Sequence, residues 1–215
     1  MSRKIKIFAG PNTYRFQDVY FEEADEFLVG VDSGCQYLID ANIRMQLAVG
    51  DFDSLNPKYR QRVDEMADQV LNLPFRKDMT DLAYALDWIY NNMTYDQIEV
   101  YGGLGGRIDH LLANLNLLKR YEVTFRDSTH KVFLLRKGKH RIENLHRYIS
   151  FFATEDVYDL QLHGFSYELD DYFLSTTDSV CVSNQGSGVV EFSKGKLMVV
   201  CSNENSAISS HIEHD

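Results

Sequence analysis

Short apolar runs alternate with amphipathic stretches through the first part of the chain. Ile5 to Ala9 reads as a strand closed by the turn residues Gly10-Pro11-Asn12. Phe27 to Val31 is almost continuously apolar, as a strand covered on both faces requires, and it ends at Asp32-Ser33-Gly34 before a short helix over Cys35 to Ala41. Leu47 to Val49 is the next such run, ending in Gly50-Asp51-Phe52-Asp53-Ser54, after which Pro57 is placed to open a helix. Val70 to Leu73 is strand-like, Pro74 to Asp78 is a loop, and Thr80 can cap a helix with Leu82, Leu86 and Ile89 on one face. Ile98 to Tyr101 leads into a glycine-rich loop from Gly102 to Gly106. A helix follows with Ile108, Leu111, Leu112, Leu115 and Leu118 at helical spacing, and Val123 to Phe125 completes the set.

Strands alternating with helices predict a parallel sheet joined by right-handed crossovers, with helices on both faces. Ligands in such sheets bind beyond the carboxyl ends of the strands. Asp32, the Asp51/Asp53 pair and the Gly102 loop each fall just after a predicted strand, and Lys77-Asp78-Met79-Thr80-Asp81 is close behind another. Separate segments therefore deliver polar groups to one edge.

Beyond about Asp127 the long helical patterns stop. Short β-type runs replace them: Val132 to Leu135, Tyr148 to Phe152, Asp159 to Leu162, Val180 to Val182, Val189 to Phe192 and Leu197 to Cys201. Lys137-Gly138-Lys139 and Lys194-Gly195-Lys196 read as tight hairpin turns. The expectation is a second, all-β domain, a small antiparallel sandwich packed closely on the first because no Pro/Ser linker separates them. The tail from Asn203 to Asp215 is polar and expected to fray.

Composition acts mainly by exclusion. A chain of 215 residues with 44% hydrophobic content, 13 Tyr and 13 Phe has ample material for a packed core. A formal charge of −10 disfavours a general nucleic-acid or anionic-membrane surface, while leaving room for a local cationic pocket. No apolar run approaches the roughly 18 residues that span a bilayer. The charged start MSRKIKIFAG lacks a secretory core, so the expected location is cytoplasmic. Cys35, Cys181 and Cys201 are odd in number and lack CxxC spacing, which points to ordinary thiols rather than disulfides or a zinc site.

The glycines of the 102–106 loop let a ligand approach the backbone at a helix start, where free N–H groups and the helix dipole favour an anion such as phosphate. Arg107 adds a planar, permanently charged fork for phosphate oxygens, and Asp109 a carboxylate for a metal or a substrate amine. His110 and Asn114 are four apart and share a helix face. In GDFDS two carboxylates at i and i+2 can converge on one hard cation, with Asp32 and Asp81 available at the same edge. Two uncompensated carboxylates so close would repel, and near neutral pH a divalent cation relieves this most simply; magnesium suits such a site. A cation beside a glycine-rich helix start with an arginine describes phosphoryl transfer. Neither GxxxxGK[ST] nor the kinase HRD and DFG set is present. Ser33 has no His base beside it in sequence, so no nucleophilic triad is assigned.

Together these residues resemble the thiamine pyrophosphokinase family in its bacterial form. The matching pieces are VDSG (31–34), GDFDS (50–54), KDMTD (77–81), GGLGGRIDHLLAN (102–114), GFSYEL (164–169) and VSNQGSG (182–188), in family order. The resemblance implies a Rossmann-like α/β/α catalytic domain over residues 1–127, binding ATP and Mg2+, and a β-sandwich thiamine-binding domain over 128–215. It implies transfer of a pyrophosphoryl group from ATP to the hydroxyl of thiamine, giving thiamine pyrophosphate and AMP. It further implies a homodimer whose active sites lie between one subunit's α/β domain and its partner's β domain, with thiamine and ATP as small-molecule partners and neither nucleic acid nor membrane.

Carried over by motif, Asp51, Asp53, Asp81, Arg107 and Asp109 are the catalytic set, with Asp51, Asp53 and Asp81 toward the metal and Asp81 the first choice as base. Asp32, Ser33, Thr80, Gly103, Gly105, Gly106, Arg107, His110 and Asn114 are the nucleotide and phosphate set. Ser183 and Asn184 resemble the thiamine-recognising pair, offering hydroxyl and amide groups to the aminopyrimidine edge. Tyr167 stands where other members can carry Trp; its ring either stacks on the pyrimidine or fills the sandwich core, with core packing slightly ahead. The stretch DDYFLSTT (170–177) matches only loosely, and Tyr14 and Phe16 are loop aromatics that either reach a ring or stay exposed. The rival readings are a magnesium-dependent (pyro)phosphotransferase acting on another small alcohol or a pterin-like acceptor, and a non-catalytic thiamine or thiamine-pyrophosphate sensor. A sensor should have lost carboxylates from GDFDS or KDxTD, and this chain keeps them.

Overall fold

The computed structural model describes residues 4–10, 15–53, 55–74 and 78–204. The chain divides into two units, Met1–Ser128 and Thr129–Asp215.

In the first unit the strands are β1 (Lys4–Phe8), β2 (Phe27–Val31), β3 (Met45–Gly50), β4 (Ala67–Asn72), β5 (Gln97–Tyr101) and β6 (Thr124–Arg126). They lie in the order β4-β3-β2-β1-β5-β6, every neighbouring pair parallel. The chain steps outward from β1 to β4 and then returns to the other side of β1 with β5. Loops leaving β1 and β5 therefore diverge, and such a reversal opens a crevice at the carboxyl ends of the strands.

The connections carry helices α1 (Phe16–Val19), α2 (Cys35–Asp40), α3 (Pro57–Met66), α4 (Asp81–Asn92) and α5 (Ile108–Leu117), with a 3-10 turn at Asp32–Gly34. Local signals set their starts. Pro57 opens α3 and the Asn56 side chain accepts from the Lys58 N–H at 3.1 Å, satisfying an otherwise orphaned helix donor. Consecutive β1 residues Ile5, Lys6, Ile7 and Phe8 are all buried, so this central strand is covered on both faces. One core gathers Phe8, Leu38, Ile39, Met45, Tyr59 and Val63, while α4 packs against β2 and β3 and buries Leu82, Leu86 and Ile89.

Three features of this unit differ from the sequence expectation or escape it. Phe16 neither reaches out nor stays exposed: it is buried in α1, its ring 4.8 Å from that of Tyr20 and 5.2 Å from that of Phe8. Tyr14 lies outside the described residues. Lys6 is buried in the sheet, its ammonium 2.7 Å from Glu26 and 3.1 Å from Glu23 and donating to the Phe21 carbonyl at 2.7 Å, a partnering that offsets its desolvation. In α5 the apolar spacing is real, but Ile108 is 73% and Leu112 57% exposed, and Asn114 is buried instead. The Asn114 amide donates to the Gly103 carbonyl at 3.1 Å, which turns that polar position inward.

The second unit is antiparallel. Its strands β7 (His130–Ile142), β8 (Tyr148–His163), β9 (Leu169–Leu174) and β10 (Gly188–Ser202) lie in the order β7-β10-β8-β9. Several expected short strands thus merge into long ones. The two Lys-Gly-Lys segments are not hairpin turns: each lies within a continuous strand, Gly138 opposite Phe192, and the register slips between Phe192 and Lys196. Gly195 has φ +102°, and a side chain there would sit 2.3 Å from the Asp156 carbonyl oxygen. A glycine with positive φ serves a bulge as well as a turn, and here it bends the strand. Val180 to Val182 is a turn rather than a strand, and β9 takes up the first part, to Leu174, of the loosely matching 170–177 stretch that the short-run pattern leaves unassigned. All three cysteines are buried and free. Among the described residues no helix is long and apolar enough to cross a membrane.

Candidate active site

β2 and β3 end side by side, Val31 opposite Val49, so the loops that leave them emerge together. Asp32 has φ +48° and Phe52 φ +57°, left-handed conformations costing roughly 1 kcal/mol or more apiece and found disproportionately at functional sites. Burial of the Phe52 side chain, with the Arg60 guanidinium 5.0 Å from its ring centre, anchors the turn against that strain. Asp51 and Asp53 flank the anchor, and the Asp53 N–H donates to the Asp51 carboxylate at 3.3 Å.

One carboxylate oxygen each from Asp32, Asp51 and Asp53 lies within 4.8 Å of the others. Three hard oxygen donors this close match the needs of a small divalent cation, which binds carboxylate oxygens at about 2.0–2.6 Å. Asp81 is not in this trio among the described residues; it stands on the wall of a cleft that it shares with Asp32. Ser54 and Lys77 lie outside the described residues.

That cleft encloses about 280 Å³ and is lined by Gly10, Asp32, Ser33, Thr80, Asp81, Arg107, His110 and Asn114, together with apolar neighbours. It therefore sits at the carboxyl edge, where the loops after β1, β2 and β5 meet the start of α4. Thr80 caps α4, its hydroxyl oxygen accepting the Ala83 N–H at 3.2 Å, which leaves the hydroxyl proton to donate. Replacing Thr80 by Ala should cost about 1 kcal/mol of stability through the lost cap. Chemical denaturation of the unliganded protein would show this; an unchanged midpoint would mean the cap contributes nothing.

Both α4 and α5 begin at the cleft, so their free N–H groups and dipoles favour an anion there. Gly103, Gly105 and Gly106, all at positive φ, carry the chain from β5 to α5. Arg107 precedes the first turn of α5 and donates to both oxygens of Asp109, at 3.1 and 2.5 Å. Hydrogen bonding from Arg107 holds the Asp109 carboxyl down to about 2, so it is an anion throughout the physiological range. The pair fixes the guanidinium by one edge, Nε and one terminal nitrogen, and leaves its other N–H groups turned away from Asp109.

In the second unit Ser183 is exposed at φ +61°, its N–H donating to the Ser150 hydroxyl at 3.0 Å. Tyr167 is 70% exposed, so it does not fill the core. Phe165, two residues earlier, does, edge-on to Phe151 at 5.4 Å. Beneath them Asn184 is 2% exposed. The sequence offers its amide to a ligand, whereas in the fold that amide is bonded to backbone groups.

Two features of the cleft go further than the sequence reading. Gly10, read as a turn residue, packs so closely on Ser33 that a side chain there would lie 2.4 Å from the hydroxyl. Asp32 joins the carboxylate pair, and its position directly after a strand, as with Asp51, was the available signal.

A carboxylate trio, two helix starts and an arginine at the carboxyl edge of a parallel α/β sheet define a nucleotide-dependent phosphotransfer protein. The chain belongs to the thiamin pyrophosphokinase family: the model for its catalytic domain matches residues 20–134, and that for its vitamin B1 binding domain matches residues 139–199. Thiamine pyrophosphokinase of Bacillus subtilis is 34% identical over 187 residues, covering 82% of this chain and 87% of that protein. The crystal structure of the Bacillus subtilis enzyme superposes with a TM-score of 0.84 at 31% identity over 95% of this chain and 100% of that one. The thiamin pyrophosphokinase of Geobacillus thermodenitrificans gives 0.82 at 30% identity, over 96% of this chain and 99% of that one. The chain is thus an ATP-dependent pyrophosphotransferase, and the readings as a transferase for another alcohol or as a sensor fall behind.

Proposed function

We propose that the chain binds ATP in the 280 Å³ cleft and transfers its terminal pyrophosphoryl group to the hydroxyl oxygen of thiamine, releasing AMP. The carrying observation is Asp32, which belongs both to the cleft and to the carboxylate trio, joining an anion-binding surface to a cation-binding one. The helix starts of α4 and α5, Thr80 and Arg107 hold phosphate oxygens. Asp51 and Asp53, with Asp32, would hold Mg2+, which when bound would supply positive charge beside the phosphates. Asp81, on the cleft wall, takes the proton from the thiamine hydroxyl as its oxygen bonds to phosphorus.

Thiamine recognition belongs to the second unit, at the exposed Ser183 hydroxyl and Tyr167 ring, both within the segment matched by the vitamin B1 binding model. We read residues 1–127 as the catalytic domain and 128–215 as the thiamine domain. The latter closes as a sandwich, a reading supported by the register slips of its long strands and by one core that draws on all four. A homodimer sharing its active sites is supported by the exposed Ile108 and Leu112 at the start of α5, apolar surface that a partner would cover.

An end-point assay with ATP, magnesium and thiamine tests the reaction. AMP and thiamine pyrophosphate in equal amounts are expected; ADP with the monophosphate would overturn pyrophosphoryl transfer.

A further inference from the structure

We infer that Asn184 is a positioning residue, whose buried amide grips the Tyr167 backbone and thereby aims that exposed ring at thiamine, rather than touching the ligand itself. The inference rests on the reading of Tyr167 and Ser183 as the thiamine-binding surface.

Asn184 Oδ1 accepts the Tyr167 N–H at 2.9 Å, and its Nδ2 donates to the Tyr167 carbonyl at 2.7 Å. The side chain thus pairs with both polar groups of one residue, as a neighbouring strand would. Oδ1 also accepts the Gln185 N–H at 2.9 Å, so both of its lone pairs are used. At 2% exposure nothing of the amide is open to a ligand. The residue is itself anchored to β8: its carbonyl accepts the Ile149 N–H at 2.8 Å, and the adjoining Ser183 N–H is held by Ser150. One further backbone bond, Ser166 N–H to the Gln185 carbonyl at 2.9 Å, ties the two loops together.

Residue type follows from this geometry. An aspartate would set a carboxylate oxygen against the Tyr167 carbonyl, and serine would be too short to span both groups. With the Tyr167 backbone pinned and its ring held out of the core, only the side-chain torsions remain to be ordered when an aromatic ligand stacks. Such preorganisation lowers the ordering cost of binding.

The test is a double-mutant cycle of Asn184→Asp and Tyr167→Ala, with separate Michaelis constants for thiamine and ATP. Asn184→Asp alone should raise the thiamine constant about fivefold, the scale of ordering one side chain, and leave that for ATP within about twofold. In the Tyr167→Ala background the same change should do almost nothing further. Equal effects in both backgrounds would overturn the inference, since Asn184 would then act independently of the ring. So would a thiamine constant insensitive to Asn184→Asp but raised by Tyr167→Ala. If Tyr167→Ala leaves thiamine binding unchanged, the thiamine surface itself has been misplaced. Should Asn184→Asp fail to fold, Asn184→Ser, which keeps a short acceptor, completes the same cycle.

Discussion

Asp51→Asn and Asp53→Asn variants are each expected to turn over roughly 10²- to 10⁴-fold more slowly, because losing a metal-held charge in phosphoryl transfer removes several kcal/mol of transition-state stabilisation. The amide keeps the size of the carboxylate, so the fold should persist. Indeed, three carboxylate oxygens within 4.8 Å repel one another, and neutralising one should leave the metal-free protein at least as stable as its parent. Magnesium should raise the melting temperature of the parent and fail to do so for either variant. Asp32→Asn should behave in the same way. Asp81→Asn should lose turnover yet keep the magnesium-induced shift, because Asp81 stands on the cleft wall outside the trio. Steady-state rates and thermal melts across a magnesium titration measure both effects. Parental turnover in Asp51→Asn and Asp53→Asn would remove the metal from this site, and loss of the shift in Asp81→Asn would extend the trio to a fourth carboxylate.

Gly102→Ala is the second change with a large expected effect, this time on the scaffold. Gly102 follows β5 at φ +84°, and a Cβ there would lie 2.0 Å from the carbonyl oxygen of Ala9. That oxygen belongs to the backbone just after β1, where the Ala9 N–H donates to the Tyr101 carbonyl at 2.8 Å. Rotating a side chain cannot relieve the clash, so the ends of β1 and β5 must separate where the crevice opens. With the left-handed conformation adding roughly 1 kcal/mol, the total loss should reach about 3 kcal/mol or more. Denaturant unfolding would show it, and any folded fraction should bind nucleotide poorly because the displaced segments line the cleft. A variant within about 0.5 kcal/mol of the parent would show that this contact is not a constraint.

Local signals made much of the first unit legible. Apolar runs bounded by turn residues marked β2 and β3, because a doubly covered strand is apolar almost throughout, and they marked β1 and β5 despite the buried Lys6 and Glu99. Of the edge strand β4, whose Asp68 and Gln69 are exposed, only the end from Val70 was legible. Asn56, Pro57 and Thr80 marked helix starts because capping involves only the next few residues. The polar groups placed just after strands were readable as one edge, since parallel strands all end on the same side. In the second unit the signals misled: glycine with positive φ suits a turn and a bulge equally, so Gly138 and Gly195 read as hairpins where the strands run on.

By itself, the sequence determined which residues could share a strand, a helix face or a loop, and through co-ordered motifs it determined the family. Only the tertiary structure decided which faces are covered and which side chains converge. Periodicity aligned Ile108 with Leu112 but could not show that they stay exposed while Asn114 turns inward. Spacing paired Asp51 with Asp53, but Asp32 joins them because β2 and β3 end in register, a relation between segments distant in the chain. The same holds for Asn184, whose partner lies 17 residues away. Propensity, capping and turn chemistry act over a few residues and are written in the chain, whereas burial and hydrogen-bond partnership depend on what the fold places opposite.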